Sequence, residues 1–140
     1  MADSPHLASV HMTSAPERYA QHIRAGHHTL VADEPASLGG ADAGPAPYAL
    51  VLSGLGACTA ITLRMYAERK GWELGEIAID LAIVRDGDAE KIERTIRIAG
   101  AITEEQRARL AEIADKTPVT KTIKRGTMIA TSFVPTPGQA

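Results

Sequence analysis

The feature that most constrains the fold of this chain is an uncharged run from Tyr48 to Leu63. Proline precedes the run, Gly71 follows it, and charged side chains crowd its far end: Arg64, Glu68, Arg69 and Lys70. A proline at the start, cations in the last turn and a glycine after the end are typical of one continuous helix. We therefore predict a single helix over residues 47–71, which would be roughly 35 Å long.

This predicted helix needs cover on nearly all sides, because its first two-thirds lack a polar stripe. A membrane span is the alternative, but the uncharged run is shorter than the ~20 apolar residues that a span requires. Small residues also interrupt the run, which suits close packing within a protein: Ser53, Gly54, Gly56, Ala57, Thr59 and Thr62. We therefore predict a core helix. A chain of 140 residues has little material to wrap it, so a second subunit is expected.

Length and composition predict one small domain over residues 1–140, with neither a nucleic acid nor a membrane as its partner. The net charge of -2 and a pI near 6.2 indicate no basic surface, and an aromatic content of 4% leaves few rings to stack on bases. The single cysteine excludes an internal disulfide and a multi-cysteine zinc site. The first residues lack the regions of a secretory signal, so a cytoplasmic location is expected.

Short β segments are predicted before the long helix. Residues 7–12 are predicted as one strand, and residues 19–24 and 28–32 as a hairpin around Ala25-Gly26. Residues 33–47 are rich in glycine and proline and predict a flexible connector. A phosphate cradle is disfavoured there, because the segment contains no GxxxxGK[ST] pattern.

After the long helix, alternating apolar side chains predict an antiparallel strand pair with one buried face. The two apolar rows flank a turn at Asp86-Gly87-Asp88 and consist of Ile77, Ile79, Leu81 and Ile83, then Ile92, Ile96 and Ile98. A second helix is predicted from a capping box at Thr103 and Gln106 through Lys116, with Pro118 ending it. A last strand is predicted over residues 128–134. This order predicts an α+β fold in which antiparallel sheets enclose the long helix.

The only cysteine, Cys58, lies inside the predicted long helix. A thiol is a nucleophile only as its thiolate, which needs a nearby cation, a general base or a helix N-terminus. The positions three and four residues from Cys58 carry no ionisable side chain, and the N-terminus is about ten residues away. The local sequence therefore predicts a buried, unreactive thiol. An activating cation would come from elsewhere, and spacing leaves four candidates open: Arg24, Lys116, Lys121 and Arg125.

The histidines form the one candidate metal cluster. All five lie in the first 28 residues, near two acidic residues: His6, His11, His22, His27 and His28, with Asp33 and Glu34. Imidazole and carboxylate groups are common zinc ligands. Because His27 and His28 are adjacent, however, they point to opposite faces of a strand. Exposed hairpin histidines are therefore favoured, and no metal or other cofactor is expected.

Two further patterns carry little functional information. A basic cluster follows the second helix and consists of Lys116, Lys121, Lys124 and Arg125. Solvated charge at a helix end is favoured there over anion binding, although a cluster close to a thiol would favour the thiolate. A serine hydrolase is disfavoured, because the chain contains no GxSxG elbow.

Three stretches of the sequence resemble one known family. They read GPAPYALVLSGLGACTAITLRMYAERKGW, AGHHTLVADEP and GAITEEQRARLAEIADKTPVTKTI. They are similar to the OsmC-like branch of the OsmC/Ohr family, the osmotically inducible and organic-hydroperoxide-resistance proteins. The resemblance covers about residues 20–133. It implies a single OsmC-like domain and an intertwined homodimer, with two central helices enclosed by antiparallel sheets.

The resemblance also implies a chemistry. Fully equipped members of the family are thiol peroxidases, in which a first cysteine attacks the peroxide and becomes a sulfenic acid. A second cysteine resolves it as a disulfide, which external dithiols reduce. An arginine activates the first thiol, and a glutamate near the helix start holds that arginine.

Carried over by residue, Cys58 takes the position of the peroxide-attacking cysteine. Thr117 stands where the family has its resolving cysteine, and Thr120 stands at the histidine of the same motif. The helix-start glutamate is absent, because that segment reads Tyr48-Ala49. Arg24 matches the early arginine. A threonine forms no disulfide, so a sulfenic acid at Cys58 would need an outside thiol to resolve it.

Two functions follow as hypotheses. The first is a one-cysteine thiol peroxidase that reduces organic hydroperoxides, with Cys58 as its redox centre and an external thiol as its reductant. The second is a non-catalytic homodimer that binds a small apolar ligand or a partner, with Cys58 as a structural thiol. The lost cysteine, histidine and glutamate motivate the second hypothesis.

Overall fold

The computed structural model of the chain describes residues 6–137, and these form a mixed α and β architecture. Its strands are β1 (His11–Ser14), β2 (Gln21–Ala25), β3 (His28–Ala32), β4 (Ile77–Asp86) and β5 (Ala89–Ile98). Its helices are α1 (Pro47–Lys70), α2 (Glu104–Ala114) and α3 (Pro118–Arg125), with a 3-10 turn at Ala36–Leu38. The strands form a three-stranded sheet, β1-β2-β3, and a β4-β5 hairpin. The predicted α+β class, with antiparallel sheets and one long helix, is confirmed.

The chain divides into two compact units. The first contains the described residues up to Gly56 together with Ile79–Thr95, and the second contains Ala57–Ala78 and the residues from Ile96 onward. The three-stranded sheet belongs to the first unit, and α2 and α3 belong to the second.

The long helix α1 begins and ends as the sequence predicts. Pro47 opens it, Arg69 and Lys70 occupy its last turn, and Gly71 follows with a φ of 71°. Its fully buried side chains recur every fourth residue and form one narrow stripe: Leu55, Thr59, Leu63 and Ala67. By length and composition alone, this helix could also cross a membrane.

The opposite face of α1 is open in a single chain. Ile61 is 57% exposed, Met65 is 56% exposed and Val51 is 49% exposed. The prediction that the helix is covered on nearly all sides is therefore not met by one copy of the chain. The physical reason is the one that the sequence suggests: the described chain supplies too little apolar surface to cover the whole circumference of the helix.

The core of the second unit forms around the C-terminal half of α1. Leu63, Ala67 and Leu74 are almost completely buried together with Leu110 and Ala114 of α2. Partly buried apolar side chains surround this group, including Trp72, Ile96 and Ile98. Helix α2 presents only its Leu110 and Ala114 face, spaced four residues apart, to this core. Its capping box is confirmed, since the Thr103 hydroxyl and the Gln106 side chain each accept a backbone N–H of the other.

A buried carboxylate, Asp33, ties down the loop that precedes α1. The Asp33 side chain accepts backbone N–H groups from Tyr19 at 2.9 Å, Glu34 at 2.7 Å, Ala43 at 3.1 Å and Ala41 at 3.2 Å. Only 2% of Asp33 is exposed. The prediction of a flexible connector over residues 33–47 is therefore wrong, because the Asp33 carboxylate holds the loop through backbone donors that the glycine and proline pattern does not indicate.

Three predicted elements differ from the structure. Residues 118–125 form α3 where no helix was predicted, and the preceding helix ends at Ala114. Thr117 and Pro118 take the N-cap and first helical positions of α3. A proline that ends one helix can therefore also begin the next one. The first strand begins at His11 and not at position 7. Residues 128–134 form no strand, since no other segment of the described chain pairs with them and a strand needs a partner.

Candidate functional site

Cys58 lies on the open face of α1. The helix places Val51, Gly54, Cys58, Ile61 and Met65 on one line, at alternating spacings of three and four residues, and we call this line the open seam. Such spacing is typical of a surface that packs against another helix. Among residues 6–137, and apart from the adjacent turns of α1, a methyl group added at Gly54 would meet no atom within 4 Å, so the seam has room for a close neighbour. This seam is not among the features predicted above, although its spacing can be read from the sequence.

The Cys58 thiol is a free thiol and is half-buried. The prediction of a buried thiol is therefore not met within one chain. The next residue, Thr59, faces the interior and is fully buried. Because successive helical residues point about 100° apart, Cys58 points away from the buried stripe and into the open seam. The thiol is thus partly accessible and has apolar neighbours along its own helix.

Thr117, at the position of the family's resolving cysteine, has a structural place in this chain. It is 1% exposed, and its hydroxyl oxygen lies 2.6 Å from the hydroxyl of Thr120 and accepts the Thr120 N–H. The Thr120 hydroxyl in turn donates to the Ala114 carbonyl oxygen. The two threonines therefore cap α3 and join it to the end of α2. A hydroxyl used in this way has no redox chemistry.

The cations that the sequence offered as activators lie in different parts of the chain. Lys116, Lys121 and Arg125 are exposed around α3, in the same unit as Cys58. Lys124, in the same basic cluster, pairs with Asp115 at 3.9 Å. Arg24 is exposed on β2, in the first unit. Arg64, the arginine nearest to Cys58 along the helix, donates a hydrogen bond to the Gly75 carbonyl oxygen.

A second cationic group, not singled out by the sequence, surrounds Tyr66. Arg109 donates to the Tyr66 hydroxyl at 3.0 Å and pairs with Glu112 at 2.8 Å, and the Lys70 ammonium lies 5.6 Å from the ring centre. The Arg109 hydrogen bond is the main cause that lowers the pKa of Tyr66 below its usual value. The same bond raises the pKa of Arg109. Trp72 packs edge-on against Tyr66 at 5.5 Å and completes the group.

The histidines and acidic residues do not converge on a metal site. Over residues 6–137, no group of three or more histidine, cysteine, aspartate or glutamate side chains is arranged to hold an ion. Asp33 is occupied by its four backbone donors, and the His27 and His28 rings lie 4.0 Å apart against each other. Burial, the largest influence on Asp33, acts to raise its pKa, but the four N–H donors together outweigh burial and lower it.

The comparisons with known proteins identify the family. A sequence model described as OsmC-like protein matches residues 39–132, which is more than half of the chain. The chain therefore belongs to the OsmC-like protein family, and the resemblance found from the sequence motifs is confirmed. A search of curated proteins finds no match.

Solved structures share the fold at low sequence identity. An OsmC-like protein from Mycoplasma pneumoniae has a TM-score of 0.67 at 14% identity, covering 86% of this chain and 89% of that chain. The organic hydroperoxide resistance protein OhrB of Bacillus subtilis has a TM-score of 0.60 at 22% identity, covering 86% and 93%. An organic hydroperoxide resistance protein from Elizabethkingia anophelis has a TM-score of 0.63 at 19% identity, covering 88% and 91%. In this fold α1 is the core helix of a soluble protein, and no membrane span.

Proposed function

We propose that this protein is a one-cysteine thiol peroxidase of the OsmC-like family, which reduces organic hydroperoxides at Cys58 with an external thiol. The observation that carries the proposal is the position of Cys58, a free and half-buried thiol on the open seam of the helix that the family model covers. Two solved structures of the same fold are named organic hydroperoxide resistance proteins, which supports this class of substrate.

The proposed working molecule is an intertwined homodimer in the cytoplasm. A second copy of α1 packed on the open seam would bury Val51, Ile61 and Met65, and would enclose Cys58 in an apolar cleft suited to an alkyl or aryl hydroperoxide. Exposed apolar side chains at Met128, Ile129, Phe133 and Val134 support strand pairing of residues 128–134 with the partner. In this proposal residues 1–140 are one OsmC-like domain, since the family model spans parts of both compact units.

The proposed reaction has two stages. The thiolate sulfur of Cys58 attacks one peroxide oxygen, the O–O bond breaks, and the departing alkoxide takes up a proton and leaves as an alcohol. Cys58 is oxidised to the sulfenic acid, and the peroxide is reduced. An external thiol then attacks the sulfenic sulfur and releases water. A second external thiol attacks the resulting mixed disulfide, which restores the Cys58 thiol and releases the external disulfide.

The external thiol is required because the second sulfur is missing. Thr117 is a buried helix cap and carries no sulfur, so the internal disulfide of the two-cysteine cycle has no counterpart here. Arg24 remains the candidate for the family's activating arginine. It would act without the helix-start glutamate, and lost support of this kind commonly costs about 10–100-fold at comparable sites.

The test is the consumption of cumene hydroperoxide in the presence of a small thiol. We expect catalytic turnover by the wild-type protein and none by Cys58→Ser. Thr120→Ser is the matched control, because it changes a residue of similar size in the same unit and keeps the hydroxyl. Equal rates for the wild type and Cys58→Ser would refute the proposal.

The non-catalytic homodimer is the second candidate. The observation that favours it is the conversion of the motif's two reactive positions into a buried pair of hydroxyls, Thr117 and Thr120. The alkylation rate of Cys58 by iodoacetamide near neutral pH separates the two candidates. A rate well above that of a free cysteine supports the peroxidase, and a rate well below it supports the non-catalytic protein.

A further inference from the structure

One face of the three-stranded sheet gathers basic and hydroxyl side chains. The register pairs His11 with Arg24 and Thr13 with His22 between β1 and β2, and pairs Arg24 with Thr29 between β2 and β3. Residues paired across antiparallel strands point to the same side of a sheet, so these five side chains share one face. All five are exposed. The alternate residue of β2, Ile23, is buried on the other side.

These five side chains line a concave surface open to solvent, together with Val31 and the neighbouring apolar residues Ile23 and Leu30. Its volume is about 410 Å³, and Val31 is half-buried. A volume of this size accommodates a small ligand with several polar atoms. The surface lies wholly within the first unit, and Cys58 belongs to the second.

The polar side chains of the lining favour an anion. Arginine is a permanent cation with a fork of N–H donors, histidine can donate from both ring nitrogens when protonated, and threonine adds a hydroxyl donor. No acidic side chain lines the surface. A two-histidine metal site is disfavoured, because His11 lies directly opposite the positive charge of Arg24. Several donors and no carboxylate suit a compact anion with many oxygens.

We propose that this face of the β1-β2-β3 sheet is a binding site for a phosphate group, carried by inorganic phosphate or by a small phosphate monoester. Arg24 holds two of the phosphate oxygens with its paired N–H groups, and His11 and His22 supply further charge-assisted hydrogen bonds. Thr13 and Thr29 donate their hydroxyls from the outer strands. The site shares Arg24 with the peroxidase proposal, but it uses neither Cys58 nor a second copy of the chain.

Binding is expected to depend on pH. The titratable groups on this face are His11 on β1 and His22 on β2, beside the charged Arg24, while β3 contributes Thr29 and Val31. Histidine side chains generally gain their positive charge between about pH 8 and pH 5. Phosphate affinity should therefore rise as the pH falls through this range.

The experiment is a titration of the isotopically labelled full chain with inorganic phosphate and with phenyl phosphate, followed by backbone amide NMR. We expect saturable shifts in β1, β2 and β3 at about pH 6, and binding at least fivefold weaker at about pH 8. The double variant His11→Gln and His22→Gln should weaken binding about tenfold at the lower pH. The matched control is His28→Gln, since His28 pairs with Ala25 on the opposite face of the same sheet; it should stay within twofold of the wild type.

Four outcomes would overturn the site. They are shifts that do not saturate, equal losses in the double variant and in His28→Gln, affinity that does not change with pH, and acetate binding as tightly as phosphate, which would indicate a carboxylate site. The Cys58→Ser variant should bind phosphate normally. A protein that binds phosphate but does not consume hydroperoxide would refute the peroxidase proposal and leave this one intact.

Discussion

Asp33 shows at the scale of a single residue how one buried carboxylate organises a loop. Four backbone N–H groups from both sides of the loop point at its two oxygens. A buried carboxylate is costly unless such donors compensate for the lost water. The sequence places Asp33 among possible metal ligands, but its structure-holding role depends on donors up to fourteen residues away, and no local pattern indicates them.

Replacement of Asp33 should destabilise the protein. In Asp33→Asn an NH2 group would replace one of the two accepting oxygens. It would face backbone N–H groups, so at least one buried N–H would lose its acceptor. We expect a lower thermal unfolding midpoint, measured by circular dichroism. The matched control is Asp42→Asn, an exposed change in the same loop. Equal midpoints for Asp33→Asn and the wild type would contradict this account of the loop.

The lowered pKa of Asp33 also predicts a pH dependence. A carboxyl group whose pKa is lower in the folded state contributes stability that is fully present above its unfolded-state pKa and is lost as the pH falls through the folded value. Stability should therefore fall below about pH 4 in the wild type. The loss over that range should be smaller in Asp33→Asn, as measured by urea unfolding at a series of pH values.

Thr117 offers a second prediction at this scale. Thr117→Val keeps the size of the side chain but removes the cap of α3, that is, the acceptor of the Thr120 N–H and the hydrogen bond between the two hydroxyls. We expect a loss of about 1–2 kcal/mol in the free energy of unfolding. Thr117→Ser retains the hydroxyl and should lose less than Thr117→Val. A wild-type value for Thr117→Val would show that the cap contributes nothing.

At the scale of elements, the sequence predicts correctly those features that depend only on residues close together in the chain. The limits of α1, the capping box of α2 and the β4-β5 hairpin all rest on signals within a few residues, and each is confirmed. Helix α3 was missed because Thr117-Pro118 was interpreted only as the end of a helix. The predicted strand over residues 128–134 was wrong for a single chain, because its formation depends on a partner strand that no local pattern specifies.

The loop before α1 passes close to β3 at Gly44. A Cβ at Gly44 would lie 2.0 Å from the Val31 carbonyl oxygen, which is rigid strand backbone. Gly44→Ala should therefore force the loop away from β3 and cost about 2 kcal/mol or more in the free energy of unfolding. Ser37→Ala, an exposed change in the same loop, is the control. Equal stability of Gly44→Ala and the control would show that the loop does not depend on this close approach.

At the scale of the whole molecule, the open seam of α1 is the feature that a single chain leaves unexplained. The sequence predicts a helix that its own chain cannot cover. In the structure the uncovered face of this helix is the open seam, and Cys58 lies on it. Of the candidate site, the sequence predicts only the thiol at Cys58 and the hydroxyl at Thr117 in place of a second thiol. The origin of an activating cation could not be predicted, because it depends on contacts between distant segments or between subunits.

The proposed homodimer predicts a mass of about twice 14.8 kDa in sedimentation equilibrium. Ile61→Lys places a charge on the seam and should weaken the association about tenfold or more. Leu38→Lys is the matched control, because Leu38 is exposed to a similar extent, 64% against 57% for Ile61, but lies in the loop before α1. A wild-type protein that stays monomeric at all concentrations would remove the apolar cleft on which the proposed chemistry depends.

The most direct measurement is the trapping of a sulfenic acid at Cys58. The protein is treated with one equivalent of cumene hydroperoxide in the presence of dimedone and analysed by peptide mass spectrometry. We predict a single dimedone adduct, located on Cys58, with the alcohol released in equal amount. Unmodified Cys58 beside unconsumed hydroperoxide, in a protein that is folded by circular dichroism, would contradict it.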